Sequence, residues 1–328
     1  MPSRAAAVSA TAGTPKVLVY TATAGYRHDS IPTAIQVLGD HASDYGVDFV
    51  FSENASLFVD DTLSGFDGVM FVSNSDEVLD NTQQGALQRF FQNGGVYTGV
   101  HAASACLFND TTYLQAVGAL FDYHPEIQQA TFERLNTTHP ATAPVPDKWT
   151  FEEEVYYFRS DPRSVGATVL MTVDESSYVN NGTSTGSYPS MDDPHPIAWY
   201  IESPESALPL ADGAPKAGRS FYTSLGHLNS TWENSTFIEH VFGGLTWALD
   251  GASTKAYGVG LVGNANGTVS NSTNTTVSAS TAPVSSGASA TTSAGAEAST
   301  TAAKSSSAGR TLAAAGGVLG AAALAAII

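Results

Sequence analysis

Short apolar runs alternate with amphipathic segments through the first hundred residues, and this alternation constrains the fold more than any other feature of the chain. Strands are predicted at residues 16–21, 47–51, 68–72 and 96–100. A helix after Ser30, which we expect to cap it, and a helix over about residues 82–92, ended by Gly94 and Gly95, lie between them. Strands followed by helices imply right-handed crossovers. The predicted fold class is therefore α/β, with a mostly parallel central sheet covered on both faces.

The region beyond Gly118 is richer in strand patterns than the first hundred residues. Strand candidates lie at residues 127–135, 150–155, 168–173, 197–200 and 220–224. The order in which these strands enter the sheet is left open. A final helix over residues 235–249, with apolar side chains at helical spacing, closes the domain.

Composition divides the chain at about residue 250. Residues 16–250 carry aromatic and large aliphatic side chains throughout and are predicted to form one domain, whereas residues 1–15 are predicted to be disordered. Residues 251–310 are rich in Ser, Thr and Ala and cannot bury enough apolar surface to offset their chain entropy. We therefore expect a disordered, glycosylated stalk there, followed by a hydrophobic C-terminal anchor signal over residues 311–328.

The chain carries 31 acidic against 13 basic residues, a formal net charge of -18. Such a charge repels phosphate backbones, which argues against a nucleic-acid partner. The single cysteine, Cys106, excludes an internal disulfide. A domain of this size can build an adequate core without one, so secretion is not excluded.

Asn-x-Ser/Thr sequons occur at a density that chance rarely reaches. The apolar run at residues 311–328 is short for a membrane span and has the length of a cleaved lipid-anchor signal. Together these features predict a GPI-anchored glycoprotein at the extracellular face of the plasma membrane or the cell wall. A short C-terminal membrane helix is the alternative. The sequon asparagines are Asn54, Asn109, Asn136, Asn181, Asn229, Asn234, Asn266, Asn271 and Asn274.

The N-terminus conflicts with this export prediction. Residues 1–15 contain Arg4 but no apolar core of the length that a signal peptide needs. Either the gene model is truncated at its N-terminus or the C-terminal signals mislead. We favour a truncated gene model and keep the extracellular prediction.

Two histidines follow predicted strands, at the sheet edge where ligands collect in folds of this kind. His28 lies just past the first strand, and Asp29 beside it either orients the imidazole or favours the N-terminus of the next helix. His101 follows the fourth strand between small residues, in the sequence context of a nucleophile elbow. An imidazole cannot serve there as the usual covalent nucleophile, which counts against acyl transfer. Cys106 is expected to be a buried, inert thiol.

Three carboxylates at residues 152–154 precede an aromatic segment, and at least one of them is expected to point inward. A carboxylate desolvated against rings has a raised pKa suited to proton transfer, with a solvated acidic edge as the equal alternative. His195 and His227 lie where predicted strands meet loops, and His124 is a further candidate. The other histidines are expected to face solvent (His139) or to pack within or on helices (His41 and His240).

These candidates belong to longer motifs that follow one another along the chain: residues 17–32 (VLVYTATAGYRHDSIP), 94–103 (GGVYTGVHAA), 124–125 (HP), 153–158 (EEVYYF), 195–199 (HPIAW), 222–227 (YTSLGH) and 243–247 (GGLTW). The set resembles the ThuA-like family, named after trehalose utilisation, over about residues 16–250. The resemblance implies a flavodoxin-like, three-layer αβα domain similar to class I glutamine amidotransferases. Two departures are that Val155 replaces the Trp usual after the acidic pair and that the stalk lies outside the family domain.

The resemblance implies a role in disaccharide or keto-sugar metabolism. Glutaminases have Cys at the elbow where the family and this chain have His, so Cys-dependent glutamine hydrolysis is not implied. The first hypothesis is a carbohydrate-processing isomerase, lyase or hydrolase that acts on a sugar or keto-disaccharide by acid–base chemistry. The catalytic candidates are His28 and His101, which would exchange protons, and Glu154; the substrate-binding candidates are Asp29, His124, His195 and His227.

Other functions stay open. A non-catalytic glycan-binding module at the cell wall would need an exposed aromatic platform, for which Trp149, Trp199 and Trp232 are candidates. A glutaminase or peptidase that uses Cys106 is a lower alternative. No cofactor is certain: a divalent metal such as zinc suits these His and Glu side chains, but no close spacing such as His-x-x-x-His indicates one. The expected partner is a small-molecule carbohydrate.

Overall fold

One sheet holds nine of the eleven strands found in the residues that the computed structural model describes, which are 13–189, 191 and 193–250. The strands are β1 (Lys16–Tyr20), β2 (Asp48–Ser52), β3 (Gly68–Val72), β4 (Val96–Val100), β5 (Phe121–Tyr123), β6 (Gln128–Arg134), β7 (Lys148–Glu153), β8 (Tyr157–Phe158), β9 (Thr168–Val173), β10 (Ala198–Ile201) and β11 (Ser220–Thr223). The sheet order is β2-β1-β3-β4-β11-β10-β9-β6-β7, and β5 pairs with β8 in a separate two-stranded sheet.

Most strands of the large sheet run in the same direction. The neighbouring pairs from β2 to β11 in sheet order are parallel, and the pairs from β11 to β7 are antiparallel. Within this sheet β10 and β6 therefore run against the other seven strands. The prediction of a mostly parallel central sheet is confirmed, and the late strands extend it in an antiparallel arrangement that the sequence left open.

Helices cover both faces of the sheet. Val17 and Val19 of β1 pack in the same cluster as α1 and α6, whereas Leu18 and Tyr20 pack with α3 and α4, on the opposite face. The three-layer α/β class is therefore confirmed. The helices are α1 (Ile31–His41), α2 (Asp60–Leu63), α3 (Asn81–Gln92), α4 (Thr111–Val117), α5 (Asn229–Trp232) and α6 (Ser235–Leu249).

The helix ends agree with the sequence signals in part. Asp80 caps α3 in a capping box, since its side chain accepts from the Gln83 N–H at 2.9 Å and its own N–H donates to the Gln83 side chain at 2.8 Å. Gly94, with a φ of +92°, follows α3 as its predicted end. The capping role predicted for Ser30 is wrong. Its hydroxyl makes no hydrogen bond to the first turn of α1 and instead donates to the carbonyl oxygen of Gly226 at 3.3 Å, which is a tertiary contact.

Several predictions lie outside the described residues: the N-terminal segment 1–12, the stalk at 251–310, the anchor signal at 311–328 and the sequons at Asn266, Asn271 and Asn274. Among the residues described, no helix is both long and apolar enough to cross a membrane. The remaining sequons lie at the surface, with four asparagines exposed (Asn54, Asn109, Asn181 and Asn229) and two half-buried (Asn136 and Asn234). Their glycosylation stays a prediction.

Candidate functional site

A strained backbone turn at the carboxyl end of β4 holds His101. Its φ is +57°, a left-handed conformation that residues other than glycine rarely adopt, and a short 3₁₀ turn over His101–Ser104 follows at once. The turn is crowded, because a Cβ added at Gly99 would lie 2.6 Å from the Tyr97 hydroxyl oxygen. Tyr222 Oη donates to the His101 carbonyl oxygen at 2.7 Å. The structure thus has the tight strand-to-helix turn that the sequence predicted.

The tautomer of His101 is fixed by its surroundings. Its Nδ1 lies 2.8 Å from the carbonyl oxygen of Ser224, which can only accept, so Nδ1 carries the hydrogen. The imidazole is fully buried and neutral, since burial and then the charges of neighbouring histidines lower its pKa well below the usual 6.5. Nε2 therefore presents a lone pair toward the sheet edge.

Three further side chains converge on that lone pair. The Nε2 of His28 lies 3.0 Å from the Nε2 of His101, and the Nδ1 of His227 lies 3.3 Å from it. Glu154 Oε2 lies 3.5 Å from the same nitrogen and 3.1 Å from His227 Nδ1. We call His28, His101, Glu154 and His227 the central cluster; one ligand atom from each lies within 4.8 Å of all the others.

The loop after β1 delivers His28 to the cluster. Ser75, in the loop after β3, holds this segment: its hydroxyl accepts from the Gly25 N–H at 3.2 Å and donates to the Tyr26 carbonyl oxygen at 2.6 Å. The Tyr26 ring packs edge-on against the His28 imidazole, with ring centroids 4.8 Å apart. Two loops at the same sheet edge therefore fix His28 jointly.

Glu153 fixes the loop that carries His227. Its carboxylate is fully buried and accepts from the Gly226 N–H at 3.0 Å, the His227 N–H at 3.2 Å and the Thr231 hydroxyl at 2.8 Å. Burial raises the pKa of Glu153 to about 7, against the opposing effect of these donors. Glu153 thus orients the loop after β11, and the adjacent Glu154 enters the central cluster. Both are buried and Glu152 is exposed, so the expectation that at least one carboxylate points inward holds.

The other two imidazoles of the cluster differ in charge. Burial, followed by the charges of His227 and His124, lowers the pKa of His28 to about 3. Burial also opposes the charged form of His227, but its contact with Glu154, together with the charges of Glu154, Glu153 and Asp29, raises the pKa of His227 overall. The cluster therefore combines the lone pairs of two neutral imidazoles, His28 and His101, with the Glu154 carboxylate and with His227, which favours its protonated form.

His124 and Asp29 lie next to the cluster. His124 Nδ1 donates to the Pro125 carbonyl oxygen at 2.7 Å, and its Nε2 lies 3.2 Å from Glu154 Oε1. Both ring nitrogens of His124 therefore face oxygen atoms. Asp29 is exposed and acts on the cluster through its charge on His227. His124 is therefore the closer of the two to a proton-transfer position.

A small cleft of about 160 Å³ leads to the cluster. Tyr26, 45% exposed, and Ile127, 36% exposed, form its rim. A larger cavity of about 1100 Å³ borders His195 and Tyr157 and is lined by no residue of the central cluster. The cleft wall consists of Tyr26, His28, Phe121, His124, Ile127, Glu154, Tyr156 and His227.

The structure places His195 apart from the central cluster. Its Nε2 lies 2.8 Å from the Tyr156 carbonyl oxygen and its Nδ1 lies 2.5 Å from Glu175 Oε1, so neither nitrogen is free for a substrate. The expectation that His139 faces solvent is wrong. This imidazole is buried and stacks on Tyr200, with centroids 5.0 Å apart. Tertiary packing onto the later strands, which local sequence does not reveal, explains both placements.

Cys106 has the environment expected of an inert thiol. It is fully buried, and its Sγ contacts the Ala103 carbonyl oxygen and the Tyr113 hydroxyl, both at 3.4 Å. Burial raises its pKa far above the usual range, so the thiolate that a glutaminase or peptidase needs does not form. The tryptophans proposed as a glycan platform (Trp149, Trp199 and Trp232) are also buried.

Two functional residues were missed at the sequence level, Glu153 and Tyr156. Tyr156 is buried, and its hydroxyl lies 3.0 Å from His101 Nε2. Burial and the nearby carboxylates raise the pKa of Tyr156 well above 10, so the hydroxyl keeps its hydrogen and donates. The EEVYYF motif contains both residues. Only the pairing of β7 and β8 with other strands shows which of its members point to the cleft.

The central cluster has the donor set and spacing of a metal site. Bonds of about 2.0–2.1 Å to tetrahedral zinc place ligand atoms about 3.3–3.4 Å apart. The contacts around His101 Nε2 within the cluster, at 3.0, 3.3 and 3.5 Å, bracket that spacing. Imidazole nitrogens with a carboxylate suit zinc and neighbouring transition metals. The residues therefore fit a divalent metal ion of this class.

Comparison with known proteins gives a consistent result. A family model described as ThuA, trehalose utilisation, matches residues 16–248. The chain is similar to the structure of a ThuA-like protein from Bacteroides uniformis, with 17% identity, a TM-score of 0.54 and coverage of 74% of this chain and 94% of that one. It is also similar to the structure of a ThuA-like protein from Parabacteroides merdae, with 18% identity, a TM-score of 0.54 and coverage of 72% of this chain and 90% of that one. These two similarities establish the fold alone. No curated protein matches the chain.

Proposed function

Because the chain belongs to the ThuA family, described as trehalose utilisation, we propose that it is an enzyme acting on a sugar or keto-disaccharide. The reaction is acid–base chemistry at the central cluster, assisted by a divalent metal ion. The observation that carries this proposal is the convergence of His28, His101, Glu154 and His227 within 4.8 Å at the strand ends. Buried titratable groups whose pKa values move in opposite directions are typical of catalytic sites.

The four residues of the central cluster are the proposed metal ligands. The fixed tautomer of His101 and the low pKa of His28 keep their nitrogen lone pairs available, as metal binding requires. When bound, a divalent metal would supply Lewis-acid polarisation of a substrate carbonyl or hydroxyl oxygen. In this proposal His28 and His101 act as ligands rather than as the proton-exchanging pair expected from the sequence.

In this proposal, side chains around the metal ligands carry out proton transfer. His124 Nε2 and Glu154 Oε1 lie 3.2 Å apart on the wall of the cleft, within reach of proton transfer. With the His101 lone pair engaged, the Tyr156 hydroxyl, 3.0 Å from that nitrogen, is free to donate to a substrate oxygen. A base beside a donor to the carbonyl oxygen is the arrangement that enolisation of a ketone needs.

The cleft limits how much of a substrate enters. Its volume of about 160 Å³ is below the roughly 300–1000 Å³ of sites that enclose a drug-sized ligand. We therefore propose that one end of a disaccharide reaches the cluster and that the rest contacts the rim at Tyr26 and Ile127. The exposed Tyr26 ring offers an apolar face to a sugar there.

The test combines metal analysis with an assay on a keto-disaccharide. We expect the wild-type chain to bind a divalent metal and turn over the substrate, and His101→Ala to lose the metal. Its kcat/KM should fall at least about 100-fold, since even residues that only orient metal ligands contribute 10- to 100-fold. The control is His41→Ala, at an exposed histidine. Unchanged turnover in His101→Ala, with the fold intact, would contradict the proposal.

A different result would favour a binding module. If the wild-type chain is stabilised thermally by the sugar but never converts it, the glycan-binding function replaces the enzymatic one. Because Trp149, Trp199 and Trp232 are buried, the exposed aromatic ring of the cleft wall that could take such a role is Tyr26.

We also propose that the chain works at the extracellular face of the plasma membrane or cell wall, on the basis of its sequons and apolar C-terminus. The full chain, expressed behind an added signal peptide in a secreting eukaryotic host, should lose apparent mass on treatment with an N-glycosidase. Replacing every sequon asparagine with glutamine should abolish the shift. Wild-type protein that reaches no membrane or wall fraction and keeps its mass would refute this location.

A further inference from the structure

We propose that His195 and Glu175 form a positioning pair that fixes Tyr156, and through it the hydroxyl donor at the central cluster. This inference rests on the proposed function and deepens it, because it identifies the residues that hold the proposed donor, Tyr156, in position. It also gives His195 a part in the site other than the substrate contact expected from the sequence.

Two oxygen atoms hold the His195 imidazole, one on each ring nitrogen. Its Nε2 faces the Tyr156 carbonyl oxygen at 2.8 Å and its Nδ1 faces Glu175 Oε1 at 2.5 Å. The imidazole therefore bridges the backbone of Tyr156 and the side chain of Glu175. The His195 side chain is 3% exposed, whereas the Glu175 side chain is 54% exposed, so the pair reaches from the interior to the surface.

Other contacts hold the pair in place. The second oxygen of Glu175 accepts from the Tyr178 hydroxyl at 2.5 Å and the Tyr157 hydroxyl at 3.2 Å. On the side of His195, the Arg163 guanidinium donates to the carbonyl oxygen of Pro194. Because both the carboxylate and the backbone next to the imidazole are anchored, the His195 ring can neither turn nor withdraw without breaking several bonds.

Tyr156 links this pair to the central cluster. Its carbonyl oxygen is held by His195 in the connection between β7 and β8, and its hydroxyl lies 3.0 Å from His101 Nε2. The ring packs against Phe121, with centroids 4.4 Å apart. The carbonyl contact fixes the backbone from which the Tyr156 ring projects, and packing on Phe121 limits rotation of the ring. A shift of this backbone on release of the carbonyl would therefore move the hydroxyl away from His101.

A double-mutant cycle tests the inference in the full chain. We expect His195→Ala to lower kcat about 10-fold with little change in KM, and Tyr156→Phe to lower it at least as much. In the Tyr156→Phe background, His195→Ala should cause no further loss, because its effect acts through that hydroxyl. His195→Gln, which keeps a donor for the Tyr156 carbonyl oxygen, should restore most of the activity. Losses that multiply in the double variant would overturn the inference.

A matched control and a second readout separate this inference from the proposed function. His41→Ala removes an exposed histidine that also faces a carboxylate, at 3.3 Å, and should leave kcat unchanged. Wild-type protein without turnover would refute the proposed function alone. The positioning pair is then decided by NMR of the imidazole nitrogens: His195→Ala and Tyr156→Phe should both shift the His101 signals. Signals at the wild-type position in both variants would overturn it, and Glu175→Ala, which removes the other member of the pair, serves the same test if His195→Ala does not fold.

Discussion

At His101, a backbone φ of +57° accompanies an imidazole that faces the central cluster, and one carbonyl contact fixes which nitrogen carries the hydrogen. Neither this backbone conformation nor this hydrogen bond can be predicted from the residue type at position 101. Glu153 shows the same dependence on neighbours. A carboxylate with no access to solvent is retained because three donors of one loop satisfy it, and that loop carries His227. At the scale of single residues, the chemistry is therefore set by which backbone groups surround each side chain.

Glu153→Gln should destabilise the domain and impair the site. The amide replaces one acceptor oxygen with a donor group that faces N–H and O–H donors, a loss of about 1–3 kcal/mol for a buried polar group. Displacement of His227 should also lower kcat/KM about 10-fold. Urea unfolding and kinetics at about pH 8, above the pKa of about 7, measure both effects. Glu152→Gln, at the exposed neighbour on β7, is the control; equal effects of the two substitutions would contradict the role given to Glu153.

At the scale of elements, local patterns located most strands and helices. The predicted strands 68–72, 96–100 and 168–173 and the helix 235–249 have the bounds found for β3, β4, β9 and α6. The short β5 and β8 were not predicted, because strands of three and two residues carry too little periodicity. Phe121, in β5, and Tyr156, immediately before β8, lie on the cleft wall. The elements with the weakest sequence signal thus contribute directly to the candidate site.

At the scale of the whole molecule, the stability of the domain at acid pH depends on two histidines that are buried in their neutral form. His240 lies in α6 without solvent contact, and burial lowers its pKa to about 4; burial and the charges of His240 and Arg219 lower that of His139 to about 4. The unfolded chain binds these protons at about pH 6.5 and the folded chain only near pH 4. Stability from both groups is therefore fully present above pH 6.5 and is lost as the pH falls toward 4.

His240→Gln should flatten the pH dependence of stability between about pH 6.5 and 4. One proton taken up on unfolding contributes about 1.4 kcal/mol per pH unit to the slope of the unfolding free energy. The wild-type slope should exceed that of His240→Gln by up to this amount, as measured by urea unfolding across the range. Comparing slopes removes the opposite contribution of Glu153, which both proteins share. His41→Gln should keep the wild-type slope, and a His240→Gln slope equal to the wild type would refute the argument.

Apolar periodicity, turn residues and short motifs are local signals, and they were enough to predict the α/β class, the mostly parallel sheet, the family and the strand ends at which His28 and His101 lie. That His227 and Glu154 meet these two histidines while His195 does not follows only from the folded chain. The same holds for the contacts of Glu153 with the His227 loop and of the Tyr156 hydroxyl with His101. The physical reason is that contacts between residues such as His28 and His227 depend on strand order and loop closure, and no local pattern encodes the partner of a side chain far along the chain.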